Sequence, residues 1–325
     1  MSETWQPACS LQLLRARAGM LQAIRQFFAE RAVLEVETPL LCHGSGTDPQ
    51  LNFFTTEFSF PPEQQTLFLQ TSPEFAMKRL LAAGSGCIFQ ICKAFRNAEN
   101  GRYHNPEFTL LEWYRVGFTL ADLMDEITDL ITFLFKDRLT LQAAQYFTYQ
   151  DIFARHTGLD ALAFDYSAYC AYAEEARLPD AITLCGQDHV LWLDFLFSHQ
   201  VQPHLGHNAL CLIYGYPACQ SSLARINQYN ASITDRVEIF INGVELGNGY
   251  YELTDADEQE KRFTNELKIR QQLNHAVARD DRLIAALKAG MPDCAGMAIG
   301  LDRLLMILSG SPSINDVLAF PIADA

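Results

Sequence analysis

The stretch from Phe95 to Arg115, FRNAENGRYHNPEFTLLEWYR, crowds cations, amides and aromatic rings into a strand-like pattern. Side chains alternate between the two faces of a strand, so Phe108, Leu110, Glu112 and Tyr114 share one face. A ring, a carboxylate and a phenol side by side describe a pocket floor better than a core. Arg96 ends the preceding strand, and His104 with Asn105 comes before the next. A planar guanidinium fork suits phosphate oxygens. Cations, ring faces and acceptors together are what an adenine-bearing triphosphate requires of its site. A hairpin tip with stacked surface aromatics is the alternative for these residues taken alone.

A second cluster lies in DRVEIFINGVELGNGYYEL, Asp235 to Leu253, where Asn242-Gly243 is a favoured two-residue hairpin turn. A regular register sets Phe240 against Glu245 and Glu238 against Gly247, bringing Glu238 and Glu245 out as diagonal neighbours on one face. Carboxylates so close repel unless one is protonated or a cation lies between them, and hard oxygens with phosphates suit Mg²⁺. Two solvated glutamates on an exposed sheet face are the alternative. Glu252 has the wrong parity for that face in a regular strand, unless Gly247 and Gly249 host a bulge. In GMAIGLDRL, Gly300 precedes a helix with Arg303 in its first turn, and a helix start offers N–H donors to an anion. Helix packing through Gly296 and Gly300 is the other option, which Asp302 and Arg303 interrupt.

These residues need elements to hold them. Ser10 is placed to cap a helix whose apolar positions Leu11, Leu14, Ala18, Leu21, Ile24 and Phe28 follow helical spacing. VLEVETP alternates as a strand ending at Pro39. CIFQICKAFR and FTLLEWYRV form an antiparallel pair around the polar loop. Residues from about 118 to 205 read as mostly helical and as an insertion around the sheet. Thr254 begins an amphipathic helix with acids near its start, as the helix dipole favours. Loops and hairpins joining neighbouring strands predict an α+β fold with an antiparallel sheet. Neither GxGxxG nor GxxxxGK[ST] is present.

The 325 residues are 49% hydrophobic and 19% charged, ordinary globular composition. A net charge of −15 argues against a general nucleic-acid binder, which works through clustered lysine and arginine. No apolar run approaches a membrane span, and MSETWQPACS lacks the apolar core of a secretory signal. Nine cysteines without a CxxC pair read as reduced core thiols, so a cytoplasmic location is expected.

Taken in order, the segments resemble the motifs of class II aminoacyl-tRNA synthetases of the lysyl branch. FFAERAVLEVETP resembles motif 1, FRNAENGRYHNPEFTLLEWY motif 2 and GMAIGLDRLLMI motif 3. TSPEFAMKRLL and VELGNGYYELTDADEQ resemble the lysine-pocket and metal segments. Motif 1 begins almost at the start, so no anticodon-binding barrel is expected. The likeness is strongest to the freestanding elongation factor P–(R)-β-lysine ligase family, through GRYHNPEFT, MPDC and ELTDA.

That resemblance implies one catalytic unit over residues 1–325, a homodimer through motif 1, and ATP with Mg²⁺ as cofactors. It implies that Ser72, Pro73 and Glu74 hold the substrate's amino group, that Tyr114 and Glu252 receive its terminal ammonium, and that Ala298 faces it. Arg96 and Arg303 would be catalytic and bind ATP, together with Asn97, His104, Asn105, Leu246 and Gly300. Phe108 would stack on adenine, and Glu238 and Glu245 would carry Mg²⁺, Glu245 also touching ATP. The implied reaction is adenylation of a lysine-type amino acid, then transfer to a lysine of elongation factor P. tRNA is not expected as a partner. The family reads Arg-Asn-Glu in motif 2, whereas Ala98 stands third here, with Glu99 next. A different acceptor, tRNA or a small molecule, and a non-catalytic regulator are the competing readings.

Overall fold

The computed structural model describes residues 5–136, 139–272 and 277–325. The first four residues of the N-terminal stretch, and two within the anticipated insertion, lie outside them. The described strands are β1 (Leu34–Glu35), β2 (Leu41–Cys42), β3 (Thr55–Phe60), β4 (Glu63–Leu69), β5 (Ile88–Phe95), β6 (Glu107–Val116), β7 (Gln142–Thr148), β8 (Ala209–Pro217), β9 (Ile233–Ile241), β10 (Val244–Tyr251) and β11 (Cys294–Gly300). The α-helices are α1 (Leu11–Ala29), α2 (Glu74–Ala82), α3 (Leu120–Phe135), α4 (Tyr149–Thr157), α5 (Tyr166–Glu175), α6 (Pro179–Cys185), α7 (His189–Leu196), α8 (Ala256–Gln272), α9 (Asp281–Gly290) and α10 (Leu301–Ser309).

Eight strands form one sheet in the order β1-β5-β6-β11-β10-β9-β8-β7. The six central strands pair antiparallel, while β1 on β5 and β7 on β8 pair parallel. The sheet is therefore mixed at its edges rather than wholly antiparallel. Both parallel partners arrive by long connections, which a hairpin reading does not anticipate. Strands β2, β3 and β4 make a separate small sheet.

Alternation along the strands sends one face into a core and the other into a site. Leu111, Trp113, Val237, Ile239, Met297 and Ile299 pack with α1, α3 and α10. Ser10 Oγ accepts the N–H of Leu13 at 3.2 Å to open α1, and Thr119 with Asp122 forms a capping box on α3. On the opposite face, α4 to α7 pack on Cys211, Ile213 and Phe240, and α2 with α9 packs on Ile88, Tyr114 and Cys294. The middle of that face stays open. The segment expected to be mostly helical also supplies β7, and its α3 lies in the main core. Asp255, not Thr254, opens α8, its Oδ1 accepting the N–H groups of Asp257 and Glu258.

The β9–β10 hairpin holds one irregularity. Glu245 lies opposite Phe240, but Gly247 lies opposite Ile239 and Asn248 opposite Glu238. Leu246 is thus an extra residue, and the expected pairing of Glu238 with Gly247 does not occur. Gly247 and Gly249 serve packing: a Cβ on Gly247 would sit 2.3 Å from the Ala298 carbonyl and 2.7 Å from Met297 Cε.

Because neighbouring backbone cannot retreat as a flexible side-chain tip can, Gly247→Ala is expected to destabilise by about 1–3 kcal/mol. Gly101→Ala, where an added Cβ meets nothing within 4 Å, should stay within about 0.5 kcal/mol of wild type. Urea denaturation of the three proteins checks the pair.

Candidate active site

The open face holds a cavity of about 800 Å³, floored by β6, β9, β10 and β11 and walled by α2 and residues 41–53. Phe108, Leu110, Glu112 and Tyr114 all line it, as do Glu238, Glu245 and Glu252. The bulge explains the last three. One extra residue at Leu246 reverses the alternation, so Glu245, Asn248, Tyr250 and Glu252 all face the cavity.

At one end lies a dense charge cluster. Lys78 of α2 is 2% exposed, with Nζ 2.6 Å from Glu74 Oε1 and 2.6 Å from Glu252 Oε2. Burial alone favours the neutral amine, but the charges of Glu252 and Glu74 outweigh it and hold the ammonium. Burial also lifts the Glu252 carboxyl, even against the pull of Lys78. Arg225 fixes the backbone there, donating to the Glu252 carbonyl. Tyr114 donates to Glu112 Oε1 at 2.7 Å, while the buried Glu112 Oε2 has no hydrogen-bond partner among the described residues. Burial, then the nearby Glu74 charge, pushes the Glu112 carboxyl up to about 8. Gly296 makes room for this group, since a Cβ there would stand 2.4 Å from the Tyr114 ring and 2.8 Å from Glu252 Oε1. Ser72 Oγ accepts the Glu74 N–H at 3.4 Å, and Pro73 is the N-cap of α2. Ala298 sits on the cavity floor between Glu112 and Asn248.

The other end is cationic. The Arg96 guanidinium lies 5.2 Å from the centre of the Phe108 ring, with Glu99 3.8 Å away. Arg303 donates from Nη1 to the Glu245 carbonyl at 2.8 Å and from Nη2 to His104 Nε2 at 2.7 Å. Burial and the charge of Arg303 lower the His104 pKa, so its ring stays neutral and can accept that bond. Gly300 and Leu246 border the same region. Asp302 is buried behind it, accepting from the Thr109 N–H and from Arg17 of α1.

Of the expected ATP residues, Asn97 lies off the cavity, while Asn105 lines it with part of its amide engaged locally. Asn97 is exposed, does not line the cavity, and accepts the N–H of Ala98 on its own Oδ1. Asn105 lines it, but Nδ2 donates to the Glu107 carbonyl and Oδ1 accepts from Ile322 N–H, so its amide anchors the C-terminal segment. One Nδ2 N–H and one Oδ1 lone pair of Asn105 remain for a ligand.

Glu238 and Glu245 reach the cavity from opposite strands, a donor set that fits a hard divalent cation once phosphate oxygens join it. Tyr216 donates to Glu238 Oε2 at 2.6 Å and Arg236 to Oε1 at 2.5 Å. Each oxygen keeps a lone pair, and the side chain is held in one orientation. Lys78, Arg236 and Tyr216 escaped the sequence reading. Only Lys78 carried a readable signal there, its i,i+4 spacing from Glu74 on an amphipathic helix.

Comparison with known proteins agrees with this geometry. The family described as tRNA synthetases class II (D, K and N) matches residues 7–324. An elongation factor P–(R)-β-lysine ligase of Vibrio atlanticus (strain LGP32) is 47% identical over 324 residues, 99% of each chain. The ligase of that name in Histophilus somni (strain 2336) is 44% identical over 99% of this chain and 98% of its own. That of Pectobacterium carotovorum subsp. carotovorum (strain PC1) is 44% identical over the full length of both. With the motifs gathered around one cavity and the match spanning nearly every residue, the chain belongs to the class II tRNA synthetases of the D, K and N group.

Proposed function

We propose that the protein activates a lysine-type amino acid, (R)-β-lysine, with ATP and transfers it to a lysine side chain of elongation factor P. The observation that carries this reading is a single cavity with arginines at one end and three carboxylates at the other. A diamino acid joined to a nucleotide has that same polarity. The near full-length relatives that bear the name of this ligase support the choice of substrate and acceptor.

In this reading Glu74 and Glu252 hold the two ammonium groups and leave the substrate carboxylate directed at Arg96. The carboxylate, already ionised, attacks the α-phosphorus of ATP. A phosphorus–oxygen bond forms, pyrophosphate leaves, and an aminoacyl-adenylate remains. Arg96 and Arg303 neutralise the developing charge, while Phe108 stacks on the base. Mg²⁺, held by Glu238 and Glu245, supplies charge neutralisation for the phosphates. The acceptor amine then attacks the adenylate carbonyl, forming an amide and releasing AMP. We place this chemistry in the cytoplasm, without tRNA, in a single catalytic unit. A homodimer is part of the proposal: Leu11, Leu34 and Leu41 expose 65%, 57% and 48% of their surface along the motif 1 side. Light scattering at micromolar concentration should find a dimer.

Amino-acid-dependent ATP–pyrophosphate exchange tests the core of the reading. Exchange should require a lysine-type substrate, and mass measurement should show elongation factor P gaining one such residue. Glu245→Gln should suppress exchange at least about 100-fold while shifting Tm little, since Glu245 is partly exposed at 40%. Ala298→Gly should shift the ratio of (R)-β-lysine to α-lysine exchange by roughly 10- to 200-fold toward α-lysine, the worth of one methyl in a closed pocket. An unchanged ratio removes Ala298 as the discriminator.

The motif 2 departure gives a separate prediction. Glu99, lining the cavity beside Arg96, should compensate for Ala98. Glu99→Ala is expected to raise the KM for ATP about tenfold, roughly 1.4 kcal/mol, and Ala98→Glu to lower it. A wild type without exchange activity that stays inactive as Ala98→Glu would instead favour a non-catalytic binding role.

A further inference from the structure

The acid end of the cavity has a charge imbalance that the functional reading leaves unused. Glu74, Glu112 and Glu252 face it, against Lys78 as the ammonium among them. With all three ionised, the cluster carries an excess of two negative charges, in a place where Glu112 is 2% and Glu252 1% exposed. Such an excess is costly away from water, and the least expensive relief is a proton. Among the described residues, Glu112 is the member with no ion-pair partner. Lys78 spans Glu74 and Glu252, whereas among the described residues Glu112 receives only the Tyr114 hydroxyl and leaves Oε2 buried and unpartnered. The titratable groups facing Glu112 are Tyr114 from its own strand, Cys92 from β5, Glu74 and Lys78 from α2, and Glu252 at the end of β10. The charges of Glu74 and Glu252 oppose its ionisation, as a Cys92 thiolate would, whereas Lys78 and the Tyr114 hydroxyl favour it.

We infer that Glu112 selects for the second ammonium of the substrate by proton exchange: it carries a proton before substrate arrives and releases it to solvent when a diammonium substrate enters. Two incoming ammonium groups match the excess of two negative charges, so the ionised form becomes the stable one. A monoammonium compound cannot complete that balance. It therefore binds to the protonated cavity and displaces nothing. The inference rests on the proposed lysine-type substrate and adds the proton as a third participant in recognition. Burial holds the carboxyl up to about 8, so release is expected below that pH and fades above it, where Glu112 is already ionised.

Isothermal titration of the whole protein with (R)-β-lysine, at pH 7 in phosphate and in Tris, reads the exchange directly. The heats should differ by the buffers' ionisation enthalpies times about one proton released, and affinity should rise up to about tenfold per pH unit from 6 to 8. 6-Aminohexanoate should bind more weakly with buffer-independent heat. Glu112→Gln, which keeps the shape of the protonated acid, should bind (R)-β-lysine without proton release. In wild type, difference infrared spectra should lose a protonated carboxyl C=O band on adding (R)-β-lysine, which needs no variant. Binding of (R)-β-lysine with identical heats in both buffers overturns the exchange and leaves the function standing. Persistent release in Glu112→Gln overturns the assignment to Glu112. No binding of either lysine isomer in any buffer overturns the functional reading and this inference with it.

Discussion

The site depends on one unpaired residue in a β-ladder. Without the bulge at Leu246, alternation would turn either Glu245 or Glu252 into the core behind the sheet. That core is closely filled by Met297, Leu123 and their neighbours, an apolar setting in which a buried carboxylate is costly. The bulge is itself supported from both sides. Leu246 is buried, its neighbours Gly247 and Gly249 let β11 come close, and Arg303 donates to the carbonyl of Glu245. The positions of the acids are thus a property of the sheet rather than of any one side chain.

Around that frame, several buried charges are held by partners within or between elements. Lys78 ties α2 to the end of β10, Arg236 and Tyr216 orient Glu238 within the sheet, and Asp302 joins α10 to β6 and α1. Buried ion pairs of this kind add little net stability, because desolvation offsets most of the attraction. Losing one partner is a different matter, since the other is left charged and dry. The arrangement therefore trades tolerance to substitution for a fixed geometry, which is what a site working by positioning requires.

Much of this was legible in the sequence. Parity alone identified the cavity face of β6, because Glu112 and Tyr114 interrupt a pattern that Leu111 and Trp113 continue on the other side. The Asn242-Gly243 turn and the Ser10 cap were local and therefore readable. The parallel pairing at the edges was not, because β1 and β7 find their partners across long stretches of chain and partner choice leaves no local period. The bulge could be named as a possibility but not located. The placements of Asn97 and Asn105 depended on hydrogen bonds to Ala98 and Ile322 that no spacing rule exposes. Arg236 and Tyr216 read as ordinary strand residues until β8 and β9 are laid side by side.

Strand β6 carries Phe108 near one end and Tyr114 near the other, on one face, paired to β5 along that whole span and to β11 from Leu110 onward. Six residues of extended chain cover about 20 Å. The strand is therefore a ruler laid under the cavity, with an aromatic ring at one mark and a phenol at the other. Phe108 cannot move toward its counterpart without breaking its pairing to β5, nor Tyr114 without breaking its pairings to β5 and β11. A molecule that engages both must bring its own matching length, so the fold measures its ligand before any individual contact is made.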